Sequence, residues 1–157
     1  MIKFIADSML GGLARYLRMM GIYTEYYNNI KDKDLIKLLE EDESKVLLTK
    51  DRILKNETPK YSERIFIIKS DDKIEQAKEV INNFNLKNHI KPFSRCLECN
   101  TEIRKIPKKE VKNLVPEETY KSIKEFFICP ECKKIYWFST HTERMDIIIQ
   151  RILNSNH

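Results

Sequence analysis

The chain has 157 residues, 41% of them hydrophobic, enough for a real core in one domain or in one modest domain with a small appendage. It contains no run of about 18 apolar residues, and the opening Met1-Ile2-Lys3-Phe4-Ile5-Ala6-Asp7 meets an acid too early for a secretory segment. No membrane span is expected, and a cytoplasmic location is. The formal charge of +5, from 29 basic and 24 acidic residues, permits a polyanionic partner without demanding one.

The first ninety or so residues alternate short β-rich runs with helical patterns, as a parallel sheet flanked by helices requires. Ile2 to Ala6 reads as a buried first strand. Met9, Leu10, Leu13, Ala14, Leu17 and Met20 recur at helical spacing before Gly21, which predicts a helix from about Met9 to Met20. Arg15 and Arg18, three apart, share another face of it. Ile22 to Tyr27 predicts a second strand, and Asp32 opens a helix carrying Leu35, Ile36, Leu38 and Leu39. Val46 to Thr49 reads as a third buried strand that delivers Lys50-Asp51-Arg52 at its C-terminal end, with a short helix after it. The segment from Asn56 to Arg64, polar and with Pro59, reads as a surface loop before a fourth strand, Ile65 to Ile68. Ile74, Ala77, Val80, Ile81 and Phe84 give an amphipathic helix, and Asn85 to Arg95 the linker. These elements divide the chain into an α/β domain, 1–90, and a smaller module with a final helix, 91–157.

Within the second part, Cys96 and Cys99 form one C-x-x-C pair, and Cys129 and Cys132 form another after a 29-residue spacer. Strand-like runs, Phe126 to Ile128 and Ile135 to Phe138, flank the second pair, and Met145, Ile148, Ile149 and Ile152 mark a last helix expected to pack back on the body. Two thiolates two residues apart can occupy adjacent corners of a tetrahedron, so two such turns close a structural zinc shell. Disulfides are the alternative. A reducing cytosol favours zinc, although the Lys-, Glu- and Ile-rich composition with three glycines suits a thermophile, whose cytosol tolerates disulfides, as well as an AT-rich genome.

Asp7 ends the first strand and Asp51 follows the third, while Asp32 opens a helix between them. Ligands of open parallel sheets bind beyond the carboxyl ends of the strands, so Asp7 and Asp51 are expected in one crevice with Asp32 close by. Gathered carboxylates repel unless they share a hard cation such as Mg²⁺ or Mn²⁺. Each also has a bland role: Asp7 and Asp32 as helix caps, Asp51 as a turn residue. Arg15, Arg18 and Arg52 lie where they could hold phosphates, with solvated surface positions the alternative.

The string Phe4-Ile5-Ala6-Asp7-Ser8-Met9-Leu10-Gly11-Gly12-Leu13-Ala14-Arg15-Tyr16-Leu17-Arg18-Met19-Met20-Gly21 resembles the opening motif of the mut-seven C-terminal ribonuclease family. The resemblance continues through Asp32-Lys33-Asp34-Leu35, Leu47 to Arg52, Ser94 to Asn100, Val115-Pro116, Cys129-Pro130-Glu131-Cys132, Tyr136 to His141 and Arg144-Met145. It implies a PIN-like domain with a C-terminal zinc ribbon. It further implies acidic catalytic positions at Asp7, Asp32 and Asp51 binding Mg²⁺ or Mn²⁺, zinc ligands at the four cysteines, and hydrolysis of RNA. Two departures are visible. Ser139-Thr140-His141 stands where the family usually has Gly-Ser-His, and the further acid of many PIN enzymes has no evident counterpart.

Three functions compete at this stage. The leading one is a ribonuclease preferring single strands, with a ribbon that grips RNA through Arg104, Lys105, Lys108, Lys109, Lys112 and nearby aromatics. His141 is a candidate contact to RNA or phosphate, or a cap of the last helix. A non-cutting module that docks tRNA or rRNA and a DNA-acting nuclease are the alternatives.

Overall fold

Alternation along the strands decides the layers. β1 (Lys3–Ala6) sends Phe4 and Ala6 to one face and Ile5 to the other, and β3 (Lys45–Thr49) likewise opposes Val46 and Leu48 to Leu47. With β2 (Thr24–Tyr26) and β4 (Ile65–Ile67) they form a parallel sheet in the order β2-β1-β3-β4. The computed structural model describes residues 1–154, apart from the side chains of Thr140 and His141.

Helices cover both faces, because strands buried on both sides need apolar partners above and below. On the face of Phe4 and Leu48 lie α1 (Gly11–Met19) and α4 (Lys73–Asn83), through Leu13, Leu17, Ala77, Val80 and Ile81. On the other lie α2 (Asp32–Glu41) and α3 (Arg52–Glu57), which bury Leu35, Leu39 and Leu54 against Ile5, Leu47 and Ile65. A single 3-10 turn, Ser8–Leu10, precedes α1, so the helix expected from Met9 begins at Gly11. The segment expected as a loop is also more regular: α3 runs to Glu57, and a 3-10 stretch, Pro59–Arg64, leads into β4. Proline at its start lacks only an amide that such a turn leaves unpaired.

The smaller part is an antiparallel sheet, β5 (Arg104–Ile106), β6 (Phe126–Ile128) and β7 (Ile135–Tyr136), with a short helix, α5 (Glu117–Ser122), between β5 and β6. After it, α6 (Thr140–Leu153) returns to the body and buries Ile149 and Ile152 in the same core as Phe4, Leu17 and Val80. By packing, then, the last helix belongs to the first ninety residues. The linker is fixed as well, since the amides of Lys91 and Phe93 donate to the carbonyls of Met20 and Met19 at 2.9 Å. Gly21 permits this approach: its φ is +81°, and a Cβ there would stand 2.3 Å from the Lys91 carbonyl.

Candidate functional site

The two C-x-x-C turns have the same backbone. In the first, the Cys96 amide donates to the Thr101 carbonyl and the Asn100 amide to the Cys96 carbonyl; in the second, Cys129 and Lys133 donate likewise to Lys134 and Cys129. The residue after each pair turns left-handed, Asn100 at φ 68° and Lys133 at φ 67°. These turns bring all four sulfurs within 4.8 Å of one another. Soft thiolate donors in that number, with the Cys99 amide 3.3 Å from the Cys96 sulfur, fit a tetrahedral zinc and leave no open position.

Tyr136 reinforces the centre. Its hydroxyl lies 3.0 Å from the Cys96 sulfur while accepting from the Leu97 amide at 3.1 Å. Burial alone would push the Cys96 thiol up, but the Tyr136 hydroxyl and the amides of Cys99 and Glu98 outweigh it and draw the thiol down to about 7. Apart from Cys96 and Cys129, Val111 and Phe126 are the only fully buried side chains contributed by the ribbon strands and their connections, too few to hold the fold without a staple.

Arg18 and Asn100 join this centre to the body. Arg18, 8% exposed, donates from Nε to the Thr24 carbonyl at 2.8 Å and from one terminal nitrogen to the carbonyls of Leu97 at 2.8 Å and Glu98 at 3.3 Å. It thus clamps the first knuckle to the edge of β2, and its buried position corrects the expectation of a phosphate contact. Asn100 is buried too, and its Oδ1 accepts from the Thr24 amide at 2.8 Å. Arg95 adds a bond from Nε to the Gly21 carbonyl at 3.1 Å and another to the Asn100 carbonyl at 2.8 Å.

Asp7 and Asp51 stand at the other notable place in the sheet. The order β2-β1-β3-β4 reverses direction between β1 and β3; Asp7 follows β1 directly and Asp51 follows β3 after Lys50. Thr49 links them. Its hydroxyl donates to Asp7 Oδ2 and accepts from the Asp51 amide at 3.0 Å. Both acids also cap: Asp7 Oδ1 accepts from the Met9 amide at 2.9 Å, and Asp51 Oδ1 from the Leu54 amide at 3.0 Å. Asp51 Oδ2 has no partner among the described residues. The capping roles expected of these acids are thus present.

Asp32 stands exposed in the first turn of α2, after Lys31 as the capping position. Among the described residues, the cysteines are the group of His, Cys, Asp or Glu gathered closely enough to hold an ion; the three aspartates are not drawn into such a group. Hard carboxylate oxygens are the donor type that suits Mg²⁺, which keeps several waters when few protein ligands reach it. Arg52, beside Asp51 at the start of α3, is exposed and without a partner among the described residues. Arg15 is exposed as well, but it faces a cavity shared with the ribbon rather than the crevice. The side chain of His141 lies outside the described residues.

Of the ribbon's basic residues, Lys108 lies 4.9 Å over the Tyr120 ring and Lys105 pairs with Glu125 at 3.3 Å, whereas Arg104, Lys109 and Lys112 are exposed. Thr49 was missed by sequence reasoning, although a threonine ending an apolar strand two residues before an acid was its signal. Asn100 was missed too; an asparagine directly after a C-x-x-C pair was the cue, since it tolerates the left-handed turn. No helix among the described residues is long and apolar enough to cross a membrane.

A family model described as "Mut7-C RNAse domain" matches residues 2–149. No curated protein and no solved structure matches the chain.

Proposed function

Because the chain belongs to the Mut7-C RNAse domain family, whose model spans nearly all of it, we propose that it is a divalent-metal-dependent ribonuclease cutting single-stranded RNA at the crevice between β1 and β3. The observation that carries this reading is the Asp7–Thr49–Asp51 linkage at the point where strand order reverses. Asp7 and Asp51 would hold Mg²⁺ or Mn²⁺, and Asp32 would add negative charge from the first turn of α2. Thr49 fixes the Asp7 carboxylate, so that its orientation need not be established as substrate arrives. The amides of Met9 and Leu54 donate to the two carboxylates and fix one oxygen of each. Arg52 grips a non-bridging phosphate oxygen, and the zinc ribbon presents further cations to the strand. When bound, the cation supplies Lewis acidity to the phosphodiester and offsets the charge that develops there.

The test is cleavage of labelled single-stranded RNA by zinc-loaded protein with Mn²⁺ or Mg²⁺, alongside an Asp7→Asn, Asp51→Asn double variant. Cutting that requires the added cation and falls at least about 100-fold in the variant supports the proposal. Equal cutting by both proteins overturns it. A second reading, a module that binds structured or single-stranded RNA without cutting it, draws on the exposed, ungathered position of Asp32. Salt-sensitive binding by both proteins with no cleavage by either would establish it.

A further inference from the structure

A cavity of about 270 Å³ opens where the linker, the ribbon and α6 face α1, on the flank of that helix rather than at the crevice. Its walls are aromatic and its charges all positive. Phe93 from the linker and Trp137 and Phe138 from the segment after β7 line it, with Arg15, Arg95 and Lys134 around them and no carboxylate among the lining residues. Phe138 leans against Phe93 and Phe127, with ring centres 5.6 and 5.2 Å away, yet remains 42% exposed. Its packing is set, and one side of it faces outward.

The cations differ in how free they are. Arg95 is anchored by the carbonyls of Gly21 and Asn100, and Lys134 reaches Glu98 at 3.1 Å. Arg15 has no partner among the described residues. An apolar, partly aromatic cavity with three cations on its lining, one of them without a partner among the described residues, suits a planar base carrying a phosphate. An acidic peptide would use the cations but leave the ring faces idle.

We infer that this cavity is a subsite for one unpaired nucleobase of the single-stranded RNA, stacked on Phe138 beside Trp137, with Arg15 on the adjoining phosphate. Arg15 stands one helical turn past Gly11, roughly 6 Å along the axis, so the subsite and the crevice at the N-terminal end of α1 adjoin the same helix. The subsite rests on the ribonuclease reading for its ligand, and it explains a preference for unpaired strands, because a base within a duplex cannot enter it.

Trp137 is the only tryptophan of the chain, so its fluorescence reports on this cavity. The full-length, zinc-loaded Asp7→Asn, Asp51→Asn protein, in which cleavage is prevented, is titrated with a short single-stranded oligoadenylate and with an abasic ribose-phosphate chain of the same length. The oligoadenylate should quench Trp137 saturably, and the abasic chain should bind without quenching. Phe138→Leu, which keeps bulk without a ring face, should weaken oligoadenylate binding about fivefold or more and leave the abasic chain unaffected. Arg15→Gln should weaken both and reduce the salt dependence by about one ion. Zinc content and near-ultraviolet dichroism check that each variant is folded. Absent quenching, equal quenching by the abasic chain, or unchanged oligoadenylate affinity in both variants overturns the subsite. Because binding is read without turnover, quenching by a protein whose wild type never cuts RNA leaves the subsite standing and sinks the nuclease; cutting without quenching does the reverse.

Discussion

The cysteine centre and the aspartates that follow β1 and β3 are built in opposite ways. Four sulfurs converge within 4.8 Å on two superimposable turns, with amide and phenol donors already in place around them. Asp7 and Asp51 instead each cap a helical turn, one oxygen of Asp51 has no partner among the described residues, and Asp32 is exposed at the start of α2. Four converging thiolates suit a closed structural shell, whereas two capping acids outside any such cluster leave a cation's shell to water and substrate, as the proposed function requires.

Removing zinc gives the largest expected effect. Chelation or Cys129→Ser should remove on the order of 10 kcal/mol of folding free energy from the ribbon and abolish the near-ultraviolet signal of Trp137. The helical signal of the body should persist, since α6 is held by the core around Phe4 and Val80. A ribbon that keeps its aromatic signal with zinc stripped would show that disulfides or its own small core suffice.

Cutting the joint between the regions comes next. Arg18→Met should destabilise by about 3 kcal/mol in urea unfolding, because the carbonyls of Thr24, Leu97 and Glu98 lose a charged donor in a buried place. Loss of RNA affinity at unchanged stability would instead make Arg18 a substrate contact. Asn100→Ala should cost about 1–2 kcal/mol, since alanine neither accepts from the Thr24 amide nor favours φ 68°. Lys133→Gly, at the matching turn, should be neutral or stabilise by about 0.5 kcal/mol. Opposite results at these two positions would mean that the turns are alike in backbone only.

The smallest effect contrasts a saturated carboxylate with an open one. Burial would raise the pKa of Glu25, but hydrogen bonds from Tyr27, Lys45 and Tyr23 more than offset it, and the folded value lies below the usual 4.5. Its contribution to stability is therefore present above about pH 4.5 and is lost as pH falls through the depressed folded value. Glu25→Gln should flatten that acid limb in pH-dependent unfolding. An unchanged limb would assign it to other acids.

Much of this was legible in the chain because periodicity is local. Alternation in Phe4-Ile5-Ala6 and Val46-Leu47-Leu48 announced doubly buried strands, and the paired C-x-x-C spacing announced the cluster. What escaped depends on which segments meet. Nothing near Arg18 signals that its donors reach carbonyls 79 and 80 residues away, whereas the apolar face of the last helix did announce its return to the body. The boundary at residue 90 followed composition, whereas packing assigns α6 to the body. Proline and polar residues in Asn56 to Arg64 likewise concealed a 3-10 stretch, whose short repeat leaves little hydrophobic period to read.

Binding of Mn²⁺ to the zinc-loaded protein, followed by the loss of free-ion paramagnetic resonance, tests the carboxylate crevice most directly. Saturable binding in the wild type that is lost in both Asp7→Asn and Asp51→Asn, with zinc content and unfolding midpoint retained, is the expected result. Mn²⁺ uptake that is indifferent to either substitution would contradict a cation shared by Asp7 and Asp51.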